Sequence, residues 1–306
     1  MSETMKGVLA PVVTPFLGER PDAERLIDHC RWLIGQDCGL AVFGTNSEGN
    51  SLSVAEKIEL IDALVEAGLP AARMMPGAGA CALPDAVALC SHVAQMGCGG
   101  ALVLPPFYYK DATDEGLFAF FADLIEGVGD ARLRLYLYHI PPVAAVGFSL
   151  DLIARLIEAY PGVVAGIKDS SRDDANTFAM LERFPGWGVF PGNETNLPAF
   201  VKAGAVGTIS ATCNVNAAGI VDLYRNARAG DADQRLASVN RVRSTFARWP
   251  MIAAMKSAIA DARHDDVWRA LRPPLLPLGE EESAALRSAL DEIGFALAPL
   301  PAAATP

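Results

Sequence analysis

The chain has 306 residues, of which 51% are hydrophobic and 20% charged, and a formal charge of −11 at pH 7. That length suits one large α/β domain or two ordinary ones. The negative charge argues against nucleic acid or an anionic membrane as partner, because phosphate binding needs a basic surface, and no apolar run approaches the roughly 18 residues of a membrane-spanning helix.

In chain order, short β-rich apolar runs alternate with amphipathic stretches, the pattern of parallel βα units. The predicted strands are 7–16, 39–45, 73–79, 100–106, 133–140, 163–170, 188–193 and 207–212. Helices are predicted between them near 22–36, 53–67, 83–96, 114–127, 149–159, 173–183, 195–203 and 216–229. Cap signals open several of these: Ser53 with Glu56, Ser149, and Asp173 or Asp174. Eight repeats in residues 1–230 predict an α/β fold, a closed (β/α)8 TIM barrel. The competing fold is an open doubly wound sheet, but no G-x-G-x-x-G follows the first strand. Residues 231–306 show no strand signal and read as a C-terminal helical extension of three helices, packed on the barrel or on a neighbouring subunit, with a loosely held Ala/Pro-rich end.

The six cysteines show no pairing at metal-ligand spacing and read as small buried hydrophobes in a reducing compartment; no metal site is expected. The opening MSETMKGVLAPVVTPF lacks the sections of a signal peptide, so a cytoplasmic protein is expected.

Barrel enzymes place their chemistry at the C-terminal ends of the strands. Of six lysines, Lys168 alone follows a β-branched apolar strand, in VVAGIKDSS, and period-2 alternation puts Val164, Gly166 and Lys168 on one face. Burial disfavours an ammonium and favours the free amine that attacks a carbonyl, so one reading is a Schiff-base lysine. The other is a lysine paired with Asp169 that merely closes the barrel. Tyr138, at the rim in YLYHIPP, is placed to shuttle protons or simply to pack. The turn FGTNSEG offers amides and the Thr45 hydroxyl to a carboxylate, or is only a tight βα turn.

The succession GTNSEG, PPFYYK, YHIPP, GIKDSS, PGNE and GTISATCN resembles the dihydrodipicolinate synthase / N-acetylneuraminate lyase family of class I, Schiff-base aldolases, in family order and at family-like spacing from about Val8 to the end of the barrel. The resemblance implies a homotetramer in which Lys168 forms an imine with a 2-oxo acid such as pyruvate, with no other cofactor. It makes Tyr138 the acid/base and has Thr45 link it to a tyrosine from a neighbouring subunit, matched by Tyr109 with Tyr108 as the alternative. Thr45 and Asn46 would hold the carboxylate, and Gly192, Glu194 and Ile209 would line the pocket for the rest of the substrate.

The chain also departs from the pattern. Val143 stands where the synthase proper has an arginine for its second substrate's carboxylate, a loss that is not conservative. His139 replaces the usual asparagine, Asn46 a hydroxyl residue, Ser47 a glycine, and Ala211 a serine with which sialic-acid lyases hold their polyol. The expected activity is cleavage or formation of a C–C bond in a 4-hydroxy-2-oxo acid, which includes 2-oxo-3-deoxy sugar acids. The alternatives are a dehydratase of such sugar acids, the synthase itself, and a non-catalytic 2-oxo-acid-binding relic.

Overall fold

The computed structural model describes residues 4–298. The positions expected to form a loosely held end from 299 onward lie outside the described residues. The strands are β1 (Gly7–Ala10), β2 (Phe16–Leu17), β3 (Arg20–Pro21), β4 (Gly39–Leu40), β5 (Ala101–Val103), β6 (Leu135–His139), β7 (Val164–Asp169), β8 (Gly188–Pro191) and β9 (Gly207–Ile209). Parallel ladders run β4-β1-β9 and β5-β6-β7-β8.

The two sheets join at both edges. On one side Val206 N–H donates to Val189 O at 3.1 Å. On the other, Leu40 bridges Met74 and Gly77 bridges Leu102. The predicted strand 73–79 is therefore present as a hydrogen-bonded edge but not as a regular strand. Pro76 lacks the N–H a ladder needs, and a Cβ on Gly77 would stand 2.3 Å from Phe43 O, so backbone passes too close there for a pleated side chain. The hairpin β2–β3 is an unpredicted addition, of which only Phe16 falls within the predicted strand 7–16.

Eight of the helices follow the strands: α1 (Ala23–Gly35), α2 (Val54–Glu66), α3 (Leu83–Gln95), α4 (Asp114–Val128), α6 (Leu150–Ala159), α7 (Asp174–Arg183), α8 (Leu197–Ala203) and α9 (Cys213–Arg225). The unpredicted α5 (Pro141–Ala144) is a single turn after β6. Ser53 and Glu56 close a reciprocal capping box on α2, Ser149 caps α6 through Leu152 N–H, and Asp173 rather than Asp174 caps α7. The extension supplies α10 (Ala232–Phe246), α11 (Met251–Arg263) and α12 (Glu280–Glu292).

Three apolar clusters follow from this layering. The largest lies between strands and surrounding helices and includes Leu33, Phe121, Leu152 and Ile167. A second, with Phe246, Met255, Trp268 and Leu286, binds the extension to Val13 and Val215 of the barrel. The third fills the barrel itself with Leu9, Met75, Leu102, Tyr136, Phe190 and Ile209. Tyr136 sits below the rim, and its Oη accepts the Met5 N–H at 3.0 Å. Four cysteines are buried as expected, but Cys81 is exposed and Cys98 only partly buried.

Candidate active site

β6 and β7 pair in parallel with Tyr136 opposite Gly166 and Tyr138 opposite Lys168. A register shift between Leu135 and Tyr136 leaves Ala165 without an opposite residue. That bulge corrects the expected alternation: Val164 packs into the outer layer, whereas Ala165 and Lys168 both belong to the barrel interior. Gly166 still matters, because a Cβ there would stand 2.7 Å from the Tyr136 ring.

Lys168 and Tyr138 are each 2% exposed. Lys168 Nζ donates to Tyr138 Oη at 3.1 Å and lies 4.2 Å from the centre of that ring. Thr45 Oγ1 is also 3.1 Å from Tyr138 Oη. With the lysine donating, the phenol O–H is left for Thr45, so nitrogen, phenol and hydroxyl form a continuous proton path. The pairing of Lys168 with Asp169 does not occur. Asp169 instead accepts from Ser171 N–H, Asn176 Nδ2 and Thr177 Oγ1 at 2.9, 3.1 and 2.7 Å, tying the strand end to α7.

A cavity of about 160 Å³ opens above this group, lined among others by Lys168, Tyr138, Asn46, Gly192, Arg172 and Arg243. Gly192 is required by close approach of backbone, since a Cβ would stand 2.7 Å from Asp169 O. Ile209 is fully buried in the barrel interior. Glu194 is equally buried and stands behind the cavity wall: its carboxylate accepts from Ser210 and Thr212 and from Arg243 Nη1, the last at 3.1 Å. Tyr108 and Tyr109 are 73% and 75% exposed, stack edge-to-face at 5.3 Å, and make no hydrogen bond to Thr45 of their own chain among the described residues.

The loop of Thr45 and Asn46 is strained and anchored. Phe43 and Glu48 both have φ near +60°, and a Cβ on Gly49 would meet Phe43 O at 1.9 Å. Glu48 Oε1 takes a 2.7 Å hydrogen bond from Lys256 Nζ of α11, with both side chains fully buried. Lys256 also donates to Thr14 O at 2.8 Å, and Glu48 Oε2 accepts the Arg272 N–H at 2.9 Å. Burial pushes the Lys256 ammonium below its ordinary range, and Glu48 opposes that shift. His139 fills the usual asparagine's place with its Nδ1 accepting the Phe148 N–H at 3.0 Å, and burial holds the imidazole below 6.5.

Sequence reasoning missed Arg172, Arg243 and the Glu48–Lys256 pair. Arg243 is one arginine among many on a helix, and nothing local marks it. Lys256 did leave a signal, as a lone charge inside the apolar run MIAAMKSAIA.

Residues 4–293 match the model of the Dihydrodipicolinate synthetase family, so the chain belongs to that family, whose members are lyases. It is 32% identical to an uncharacterised DapA-like lyase of Chloroflexus aurantiacus, covering 94% of this chain and 97% of the other. It is 28% identical to a 4-hydroxy-tetrahydrodipicolinate synthase of an Anaeromyxobacter species, covering 96% and 99%. The crystal structure of dihydrodipicolinate synthase from Agrobacterium tumefaciens superposes with a TM-score of 0.86 at 28% identity, covering 94% of this chain and 99% of that one. The Acinetobacter baumannii synthase complexed with pyruvate superposes at 0.84 with 27% identity, over 95% and 99%. These likenesses bear out the (β/α)8 barrel and the lyase class. Among the described residues no helix is long and apolar enough to cross a membrane, and no group of three His, Cys, Asp or Glu gathers as metal ligands.

Proposed function

We propose that the chain is a pyruvate-type class I aldolase acting on a 4-hydroxy-2-oxo acid through an imine on Lys168. The observation that carries this is the 3.1 Å contact of Lys168 Nζ with Tyr138 Oη, itself 3.1 Å from Thr45 Oγ1, beneath a small cavity.

The Lys168 nitrogen adds to C2 of the 2-oxo acid, and Tyr138 protonates the departing hydroxyl so that water leaves and an iminium remains. In the cleavage direction Tyr138 takes the C4 hydroxyl proton and the C3–C4 bond breaks. Its electron pair flows into the iminium, giving an enamine and an aldehyde. Protonation at C3 and addition of water to C2 then release pyruvate and free Lys168. Thr45 passes protons onward from Tyr138, and Asn46 with the neighbouring loop amides holds the substrate's 2-oxo-acid carboxylate. Gly192, with Ile209 and Glu194 behind it, shapes the wall for the remainder of the substrate. Tyr109 is read as the residue one subunit lends another in a cytoplasmic homotetramer, consistent with its exposure. Residues 1–230 are taken as the catalytic barrel and 231–306 as the region that braces it.

Two further activities share this imine. A dehydratase would expel the C4 hydroxyl as water and give a dioxo product without pyruvate, which assay of candidate acids distinguishes. The synthase reaction is disfavoured by the uncharged Val143, 58% exposed on α5. The test is incubation with pyruvate, borohydride reduction and peptide mass spectrometry. An adduct on Lys168, with turnover lost in Lys168→Ala, is expected; no adduct at saturating pyruvate, or an active Lys168→Ala, overturns the imine and favours a binding protein.

A further inference from the structure

Three cationic side chains line the Lys168 cavity, Lys168 itself, Arg172 and Arg243, and no Asp or Glu does. Two of these charges have counter-charges. An iminium on Lys168 is balanced by the carboxylate of the 2-oxo acid bound to it. Arg243 is balanced from behind by Glu194, which accepts from its Nη1 at 3.1 Å, while Ser210 Oγ lies 3.2 Å from the same nitrogen. Arg172 is left over: its side chain makes no ion pair and no hydrogen bond among the described residues.

The backbone at Arg172 adds a second, independent observation. Its φ of +65° lies in the left-handed region that favours glycine. A long side chain held there is locally unfavourable, and such outliers gather where a side chain must reach a ligand. Arg172 follows the strand that ends in Lys168, on the loop before α7, so the same element delivers both the amine and this guanidinium.

From this charge count and backbone geometry, we infer that Arg172, seated beside the Glu194-backed Arg243, binds a carboxylate at the far end of the substrate, which makes the substrate a 2-oxo diacid rather than a sugar monoacid with an uncharged tail. The inference rests on the imine reading and names its substrate class. A guanidinium is suited to this because its planar fork matches a carboxylate in two parallel hydrogen bonds. The cavity's size points to a short diacid. At about 160 Å³ it falls below the roughly 300–1,000 Å³ of sites for drug-sized ligands. Cations from the Lys168 loop and from α10 thus take the place of the arginine that Val143 does not supply.

The experiment measures half-saturation of borohydride-trapped imine with two acids of equal chain length, 2-oxoglutarate and 2-oxopentanoate, which differ only by carboxylate against methyl at C5. A preference for 2-oxoglutarate of about 10- to 100-fold is expected, the range of one charge-assisted pair. The ratio should collapse to within about threefold in Arg172→Gly and persist in part in Arg172→Lys, which keeps the charge and loses the fork. Glycine is the residue this φ favours, so the variant folds, and the ratio of two ligands on one variant cancels any general loss of reactivity. Equal trapping of both acids by the native chain, or an unchanged ratio in Arg172→Gly, overturns the assignment. Tighter trapping of 2-oxo-4-phosphonobutyrate than of 2-oxoglutarate overturns the carboxylate in favour of a phosphate-bearing tail. A native chain that traps no pyruvate on Lys168 overturns the imine reading itself, a separate result.

Discussion

Lys256→Met tests whether the extension builds the active site or merely covers it. The ammonium of Lys256 is fully buried, makes one hydrogen bond to Glu48 Oε1 at 2.7 Å and one to Thr14 O at 2.8 Å, and lies 4.8 Å from the Phe16 ring. Methionine nearly conserves the volume, so little cavity cost arises. What changes is electrostatic: the Glu48 carboxylate keeps only the Arg272 N–H at Oε2 and loses its one buried cation, while Thr14 O loses its donor. Removing one partner of a buried pair costs about 3–5 kcal/mol, a large share of the roughly 5–15 kcal/mol that holds a domain folded. Urea unfolding at pH 7 followed by far-UV circular dichroism measures it. Glu48→Gln combined with Lys256→Met removes both charges while leaving an acceptor for Arg272 N–H, and should recover about 2 kcal/mol or more of the loss. Because Glu48 ends the turn carrying Thr45, the single variant should also lose turnover beyond its loss of folded protein. A Lys256→Met chain within about 1 kcal/mol of the native one, or a double variant less stable than the single, would refute this account.

Three other outcomes are expected. Tyr138→Phe should slow turnover about 10²- to 10⁴-fold while still forming an imine; an unchanged rate would make Tyr138 a packing residue. Lys57 is buried on α2, and burial, opposed by Asp85, lowers it from 10.5 to about 8. Its folded form therefore releases a proton that the unfolded chain keeps, so stability rises as pH climbs from about 8 to 10.5. Below about 8 the buried charge costs roughly 3 kcal/mol, and Lys57→Met should recover much of that at pH 7 and flatten the alkaline slope, both read from unfolding curves. For His139, held below 6.5 by burial, the unfolded chain takes up a proton that the folded one refuses. Its contribution is full above 6.5 and is lost as pH falls below it. His139→Asn, whose Oδ1 can accept the same Phe148 N–H, should be less acid-sensitive than the native chain; identical acid limbs would count against this.

Much of the barrel was legible because its signals are local. Apolar period, cap residues and rim motifs each need only a few neighbouring positions, and Lys168, Tyr138 and Thr45 come together because parallel strands end at one face. Three kinds of information were not local. The bulge at Ala165 depends on how Leu135 and Tyr136 meet β7, so alternation alone put Val164 on the wrong side. The irregular edge at 74–77 depends on the Phe43 carbonyl crowding Gly77. The partners Glu48 and Lys256 stand 208 positions apart, and Glu194 and Arg243 stand 49 apart, distances over which composition and period say nothing. Glu194 shows the limit of carrying a role across a family: the motif marked its place but not that its oxygens are already occupied.

The ring of Tyr136, fully buried and pinned by the Met5 amide, fills the barrel below the level of Lys168. On the imine reading, substrates then meet the Lys168 nitrogen from the cavity above it. The 2-oxo acid must enter before its aldehyde partner in synthesis, since the reactive nitrogen lies at the bottom of the shaft. In cleavage the aldehyde, nearer the mouth, must leave first. The water that hydrolyses the imine can enter only behind it, so an aldehyde slow to depart would hold the enzyme as its imine with pyruvate, and the barrel floor itself sets the kinetic order.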